Sequence, residues 1–240
     1  MDVRGEAARV MADMRADADP VRAAHEKRYL KSEYVHIGVP VPTLRKLALS
    51  SVKTKPTRDE LVALAETFWD VTDDGRPVHE ARMAAGEVLA KRAALLEPRD
   101  VRLAERLIRD SVSWVYVDHL AEKVVGALVV RHPDLGTVLD EWVGDPYMWI
   151  RRTAVLALLA GVRAGNPDLD RLDRFGDAVI GEREFFIRKA LGWVLRELSK
   201  KDPEWVVTWV EPRAATMSGV TLREAVRRLP PEDAARILGR

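Results

Sequence analysis

The chain has 240 residues, with 39 Lys and Arg against 38 Asp and Glu, so its formal net charge is +1. It has no cysteine, which excludes disulfides, thiolate nucleophiles and cysteine-based zinc sites. Charged residues make up 32% and aromatic residues 6% of a chain long enough to bury a sizeable core. That profile, rich in Ala, Leu, Val, Arg and Glu, points to an all-helical protein.

In chain order, the amino terminus is charged throughout Met1 to Arg15 and lacks the apolar centre of a signal peptide. Ala7, Val10, Met11 and Met14 follow helical spacing. Asp19-Pro20 then supplies an N-cap with proline at the first helical position, predicting a second helix to about Leu30. Tyr34 to Pro42 is broken by a glycine and prolines, so it reads as a loop leading into a helix at Thr43. Asp-Pro recurs as a start signal at Asp145-Pro146 and Asp202-Pro203, with weaker marks at Glu97-Pro98, His132-Pro133 and Asn166-Pro167. This punctuation predicts eleven or twelve helices with short connections. No run alternates long enough to demand a sheet. The longest stretch free of both charged residues and histidine, Thr153 to Val162, is ten residues and too short to span a bilayer, so a soluble cytoplasmic protein is expected.

Trp149 to Leu159 and Phe186 to Arg196 can be laid over each other, with Arg152 matching Lys189 at an offset of 37. Carried along the chain, this position is occupied by Arg45, Arg82, Asp118, Arg152, Lys189 and Arg223, at intervals of 37, 36, 34, 37 and 34. Such a period, with two helices per unit, predicts an all-α, HEAT-like repeat solenoid formed by residues 1–240 as one domain. Equivalent positions in a solenoid line one concave surface. The series therefore predicts a basic groove, suited to a phosphate backbone, interrupted once by Asp118. The competing reading is that these basic residues pair with acids of neighbouring helices.

Trp114 and Asp118 stand four residues apart and share a helix face, placing a carboxylate beside an indole. Trp193 lies four residues after Lys189, near the same stripe. Trp69, Trp142, Trp205 and Trp209 sit among apolar neighbours and are expected in the core, whereas Trp149, next to Arg151 and Arg152, is expected to be the exception. The five histidines show no ligand spacing: His79-Glu80 begins like a zincin helix, but Met83 occupies the second histidine's place. No metal and no cofactor is expected, with an all-oxygen site left open.

Four segments carry a family resemblance. Phe185-Phe-Ile-Arg-Lys-Ala-Leu-Gly-Trp-Val-Leu-Arg-Glu197 is the strongest. Ser113-Trp-Val-Tyr-Val-Asp118 resembles a Trp-x-x-x-Asp site, and Trp149-Ile-Arg-Arg152 a Trp-x-x-Arg segment. Arg28-Tyr-Leu-Lys31 followed by Gly38-Val-Pro-Val-Pro42 resembles an amino-terminal entry. Together, over about Tyr29 to Arg228, they resemble the AlkD-like family of DNA alkylation repair proteins, the HEAT-like alkylpurine DNA glycosylases. The chain departs from the family pattern at Pro40, in place of a polar Gln, at Ser113, in place of an aromatic residue, and at Ala160, where a basic residue is common.

The resemblance implies a glycosylase acting as a monomer on double-stranded DNA that carries alkylated bases. Asp118 would be the catalytic carboxylate, Trp114 and Trp193 would touch the lesion nucleotide, and Arg152 would hold backbone phosphate. Arg45, Arg82, Arg151, Lys189, Trp149 and Tyr29 complete the expected DNA contacts. An N3- or N7-alkylated purine is already cationic, so it leaves without protonation, and a carboxylate near C1′ has only to stabilise oxocarbenium character and position water. Two other readings stand beside this one: a non-catalytic HEAT-type scaffold for DNA or protein, and a glycosylase giving self-resistance to a bulky DNA-alkylating natural product.

Overall fold

A computed structural model describes residues 1–239, which group into two compact units, Met1–Glu97 and Pro98–Arg240. In the first, α1 (Val3–Ala16) begins where the Asp2 side chain accepts the Gly5 N–H, and buries Ala7, Val10, Met11 and Met14. α2 (Pro20–Leu30) starts as expected: the Asp19 side chain accepts the N–H groups of Val21 and Arg22, and Pro20 occupies the first turn, where a missing N–H costs nothing. α3 (Val41–Ser50) starts at Val41 rather than Thr43, because Pro42 is accommodated in its first turn. α4 (Arg58–Trp69) opens on a full capping box between Thr57 and Glu60. α5 (His79–Lys91) is buried along most of its length and packs on α3 and α4, while α1 covers α3 and α4.

Between α4 and α5, β1 (Thr72–Asp73) pairs with β2 (Arg76–Pro77), a small hairpin that no alternating run announces. Its signal is Asp74-Gly75, whose φ values of 50° and 71° are what a tight two-residue hairpin requires. A parallel bridge then joins Val35 to Val78: the Val35 N–H donates to the Pro77 carbonyl at 2.9 Å, and the His79 N–H to the Val35 carbonyl at 2.8 Å. The bridge ties the loop after α2 to the first turn of α5. Glu80, fully buried, completes the anchorage by accepting the N–H groups of Ile37 at 2.9 Å and Gly38 at 2.6 Å. Gly38 has φ 87°, and a Cβ there would stand 2.1 Å from the Asp19 carbonyl oxygen, so only glycine fits.

The second unit opens with α6 (Val101–Arg109) and α7 (Trp114–Leu120). A π-helical turn, Ala121–Val125, joins α7 to α8 (Gly126–Arg131) in one continuous helical run, and α9 (Gly136–Trp142) follows. α10 (Met148–Ala164) is the hub, apolar on nearly all sides and packed against α6 to α9, α11 (Leu169–Val179) and α12 (Phe185–Leu198). α13 (Pro203–Val210), α14 (Gly219–Ala225) and α15 (Pro231–Ile237) close the unit, with α14 laid along α12. Ala160 belongs to this packing, because a Cβ on Gly126 would come within 2.8 Å of its methyl group.

The fold is all-α, as the composition predicts, but it holds more helices than the punctuation does. α10 starts two residues later than Asp145-Pro146 suggests, because the Asp145 side chain accepts the Tyr147 N–H at 2.8 Å and spends its capping capacity on a turn. The repeat period reappears in the polar contacts of the second unit. Arg109 with Asp145, Arg213 with Asp177, Trp209 with Asp173, and Tyr147 with the Ser111 carbonyl all join groups 36 residues apart. Each therefore fastens one helical pair to the next. No helix among the described residues is long and apolar enough to cross a membrane.

Candidate active site

α7 is seated by Tyr116, Val117 and Leu120, which are buried, and it is capped by Ser113, whose hydroxyl accepts the Val115 N–H at 3.5 Å. Ser113 thus serves as an N-cap, a role an aromatic residue cannot fill. With those three side chains turned inward, Trp114 and Asp118 lie together on the half-buried flank of α7. The Asp118 side chain keeps 15% of its surface exposed.

Arg152 of α10 meets Asp118 with a bidentate fork: Nε donates to Oδ1 and Nη2 to Oδ2, both at 2.7 Å. Its remaining nitrogen, Nη1, donates to the carbonyl oxygen of Phe186 on α12. One guanidinium therefore spans three repeats, since Asp118 and Phe186 each lie 34 residues from Arg152. The Arg152 side chain is only 2% exposed, yet all three of its nitrogens have acceptors, the condition under which a buried cation is tolerated. The carboxylate is fixed in plane by the fork, and only about half of its acceptor capacity is used. The rest is available on its exposed edge.

Aromatic rings close in around the fork. The Arg152 guanidinium lies 5.7 Å from the Phe186 ring centre, Trp149 is tilted against Phe186 at 5.0 Å, and Phe185 meets Phe186 edge-on at 5.5 Å. Phe185 is 52% exposed and lies 6.0 Å from the Lys189 ammonium. Trp193 stands half-buried further along α12.

The structure redistributes the expected DNA contacts. Arg152 is buried on Asp118 and is not a cation free for phosphate. Arg82 is buried too, its guanidinium 4.8 Å and 4.6 Å from the ring centres of Tyr34 and Trp69 and its Nη1 donating to the Tyr34 hydroxyl. Arg151 donates to the carbonyl oxygens of Asp145 and Pro146 and forms an ion pair with Glu182 at 2.8 Å. Trp149 is buried against Phe186, so it joins Trp69, Trp142 and Trp209 in the core instead of standing as an exception, while Trp205, expected there, is half-buried. For Arg82 and Arg152, the two of these that belong to the repeat series, packing against neighbouring segments outweighs the free-stripe expectation. Arg45 is different: it forks onto Glu87 at 2.9 Å twice, but its side chain remains 52% exposed. Lys189 and Tyr29 are exposed, as expected. The residues not singled out from the sequence are Phe185 and Phe186, and their signal was an aromatic pair opening a helix, one position of which must face outward.

The fold is an all-α repeat in which a carboxylate is clamped by an arginine beside indole and phenyl rings. Residues 10–229 match the family described as DNA alkylation repair enzyme, and the chain belongs to that family. Among solved structures it is similar to a predicted DNA alkylation repair enzyme from Enterococcus faecalis, with 24% identity, coverage of 90% of this chain and 98% of that one, and a TM-score of 0.77. It is also similar to AlkD2 from Streptococcus mutans, with 16% identity, coverage of 79% and 90%, and a TM-score of 0.57. No curated protein matches the chain.

Proposed function

We propose that this DNA repair protein is a monofunctional DNA glycosylase that hydrolyses the N-glycosidic bond of cationic N3- and N7-alkylated purines in duplex DNA, with Asp118 as its catalytic carboxylate. The observation that carries the reading is the Arg152 fork on a carboxylate that keeps an exposed edge. An acid that is to act on a substrate needs both a fixed orientation and an exposed edge, and Asp118 has both.

The fork also sets the size of the effect. A carboxylate about 4 Å from a developing cation, at an effective dielectric near 20, is worth about 4 kcal/mol. A guanidinium roughly 4 Å behind the carboxylate opposes this by about half, leaving about 2 kcal/mol, or roughly thirtyfold in rate. The net charge of Asp118 is therefore one contributor among several. Its free oxygen lone pairs hold the attacking water, and Trp114 and Trp193 add cation–π attraction to the sugar as positive charge grows. Because the alkylated base is already cationic in the substrate and leaves as a neutral molecule, no general acid has to reach it.

The exposed cations Arg45 and Lys189 hold phosphates, and Arg152 acts by positioning Asp118. Phe185 offers an exposed ring to the nucleotide, and Tyr29 of the first unit an exposed ring to DNA. The experiment is single-turnover incubation of the chain with a methylated duplex, followed by strand cleavage at abasic sites. Release of 7-methylguanine or 3-methyladenine, or of a bulky cationic adduct, is the expected result. A chain that binds the duplex and releases none of them is a scaffold.

A further inference from the structure

We infer that Glu26, His36 and His79 form a binding site for one divalent transition-metal ion of the zinc type, independent of the glycosylase reading. Three elements of the first unit converge here. Glu26 comes from α2, His36 from the loop after it, and His79 from the first turn of α5, where the Val35–Val78 bridge sets the two histidines side by side. Their ring centres are 4.3 Å apart and nearly parallel, at 16°. One donor atom from each of the three residues lies within 4.8 Å of the other two.

The state of the rings argues for a ligand. Both nitrogens of His36 are out of solvent contact and have no hydrogen-bond partner. Leaving a buried polar group unsatisfied costs about 1–3 kcal/mol, so a close-packed unit does not keep such a ring without a reason. Burial, then the Lys27 charge, pushes His36 down to about 4, and burial, then His36, pushes His79 down to about 3. Both imidazoles are therefore neutral at pH 7 and offer lone pairs with no proton to lose first, as a transition-metal ligand must. Two neutral imidazoles and one carboxylate suit zinc, with a fourth position left for water.

Tetrahedral zinc needs donors about 3.4 Å apart, given bonds of about 2.0–2.2 Å. The widest pair must close by roughly an ångström, and the stacked rings must fan apart. Glu26, half-buried and otherwise paired with Arg22 at 2.6 Å, has the reach to supply most of that movement. Glu80 is already committed to the Ile37 and Gly38 N–H groups and stays outside the set. A bound ion would lock the 35–39 loop to α2 and α5, which makes the site structural.

The test uses the full chain, stripped with a chelator and titrated with Zn(II) against a chromophoric competitor, with Co(II) ligand-field spectra in parallel. The expected result is one ion per chain with Kd on the order of 1 µM or below. Melting should rise by about 5–10 °C at a hundredfold excess over Kd. His36→Leu and His79→Gln should each weaken binding at least about tenfold, the equivalent of losing one ligand's second-shell support or more. Glu26→Gln, on a partly exposed helix position, gives the same readout if either histidine variant fails to fold. Absence of stoichiometric binding, or binding that survives unchanged in these variants, overturns the site.

Discussion

Arg82 and Arg152 stand at the same position of the repeat, one in each compact unit, and both are buried, but they are accommodated by different chemistry. Arg82 is held against the faces of Tyr34 and Trp69 and donates to a phenol oxygen. Arg152 is held by the carboxylate of Asp118 and the carbonyl of Phe186. A cation packed on rings stabilises its unit and exposes nothing reactive. A cation packed on an acid leaves that acid oriented and, at 15% exposure, reachable. The same repeat position thus serves packing in the first unit and, on the reading advanced above, catalysis in the second.

Replacing the two arginines separates these roles. Arg152→Met leaves the Asp118 carboxylate without its partner, and the expected loss is about 3–5 kcal/mol of folding stability in chemical denaturation. Excision per folded molecule should fall as well, because losing the in-plane hold on the carboxylate and its water outweighs the about 2 kcal/mol by which the guanidinium opposes the charge of Asp118. Arg82→Met should cost about 2 kcal/mol, the value of a desolvated cation–π contact, and leave excision per folded molecule unchanged. If Arg82→Met abolished excision while Arg152→Met spared it, the contrast would be reversed.

Acidification sharpens the comparison from the side of the first unit. His79 has a folded pKa of about 3, below its unfolded value, so the unfolded chain binds more protons as pH falls below about 6.5. Stability rises with pH through that window and is lost on going down. The expected loss from His79 is on the order of 2 kcal/mol by pH 5, with less from His36, which is partly exposed. The buried Glu80, whose pKa is raised by burial, takes up a proton on folding above the usual carboxylate range and so opposes this loss, which is why the readout is the difference between parent and His79→Gln melted in chelator from pH 7 to 5.

Trp114→Ala and Trp193→Ala are expected to slow excision by roughly fivefold each, about 1 kcal/mol of cation–π stabilisation, and to lower stability less than truncating a buried Trp would. A loss of several kcal/mol in folding with the rate per folded molecule intact would make both of them core residues. The smallest effect belongs to Lys189→Ala, which should weaken binding to modified and plain duplex alike and lower the salt slope by about one unit. A slope unchanged in this variant and in Arg45→Ala would place the phosphate grip elsewhere.

Local signals read several helices of this chain, because Ala7, Val10, Met11 and Met14 and the Asp19 and Asp202 caps act locally, whereas the shorter helices of the second unit carry weaker marks. The repeat was legible for the same reason, and Asp118 and Arg152 were marked by it. What the spacing did not tell was that the two side chains meet. A stripe of like charges and a ladder of ion pairs both repeat in the mid-thirties, and only the packing of α7 on α10 decides between them. The histidine pair was hidden more deeply. His36 and His79 are 43 positions apart and come together through a single bridge between Val35 and Val78. No helical period encodes that contact.

The central claim is that the carboxylate held by Arg152 acts on the sugar. It is tested most directly by single-turnover release of 7-methylguanine from a methylated duplex by the parent and by Asp118→Asn, with folding and duplex binding measured on the same samples. Asp118→Asn keeps the shape, leaves Arg152 without its anion at some cost in stability, and removes the charge and the water's acceptor together. The account predicts that the folded variant binds DNA at least as tightly as the parent and excises on the order of a thousandfold more slowly, the roughly 4 kcal/mol of the carboxylate's own attraction, since the Arg152 charge stays behind. A folded variant that excises within about twofold of the parent, a difference of about 0.4 kcal/mol, would contradict it.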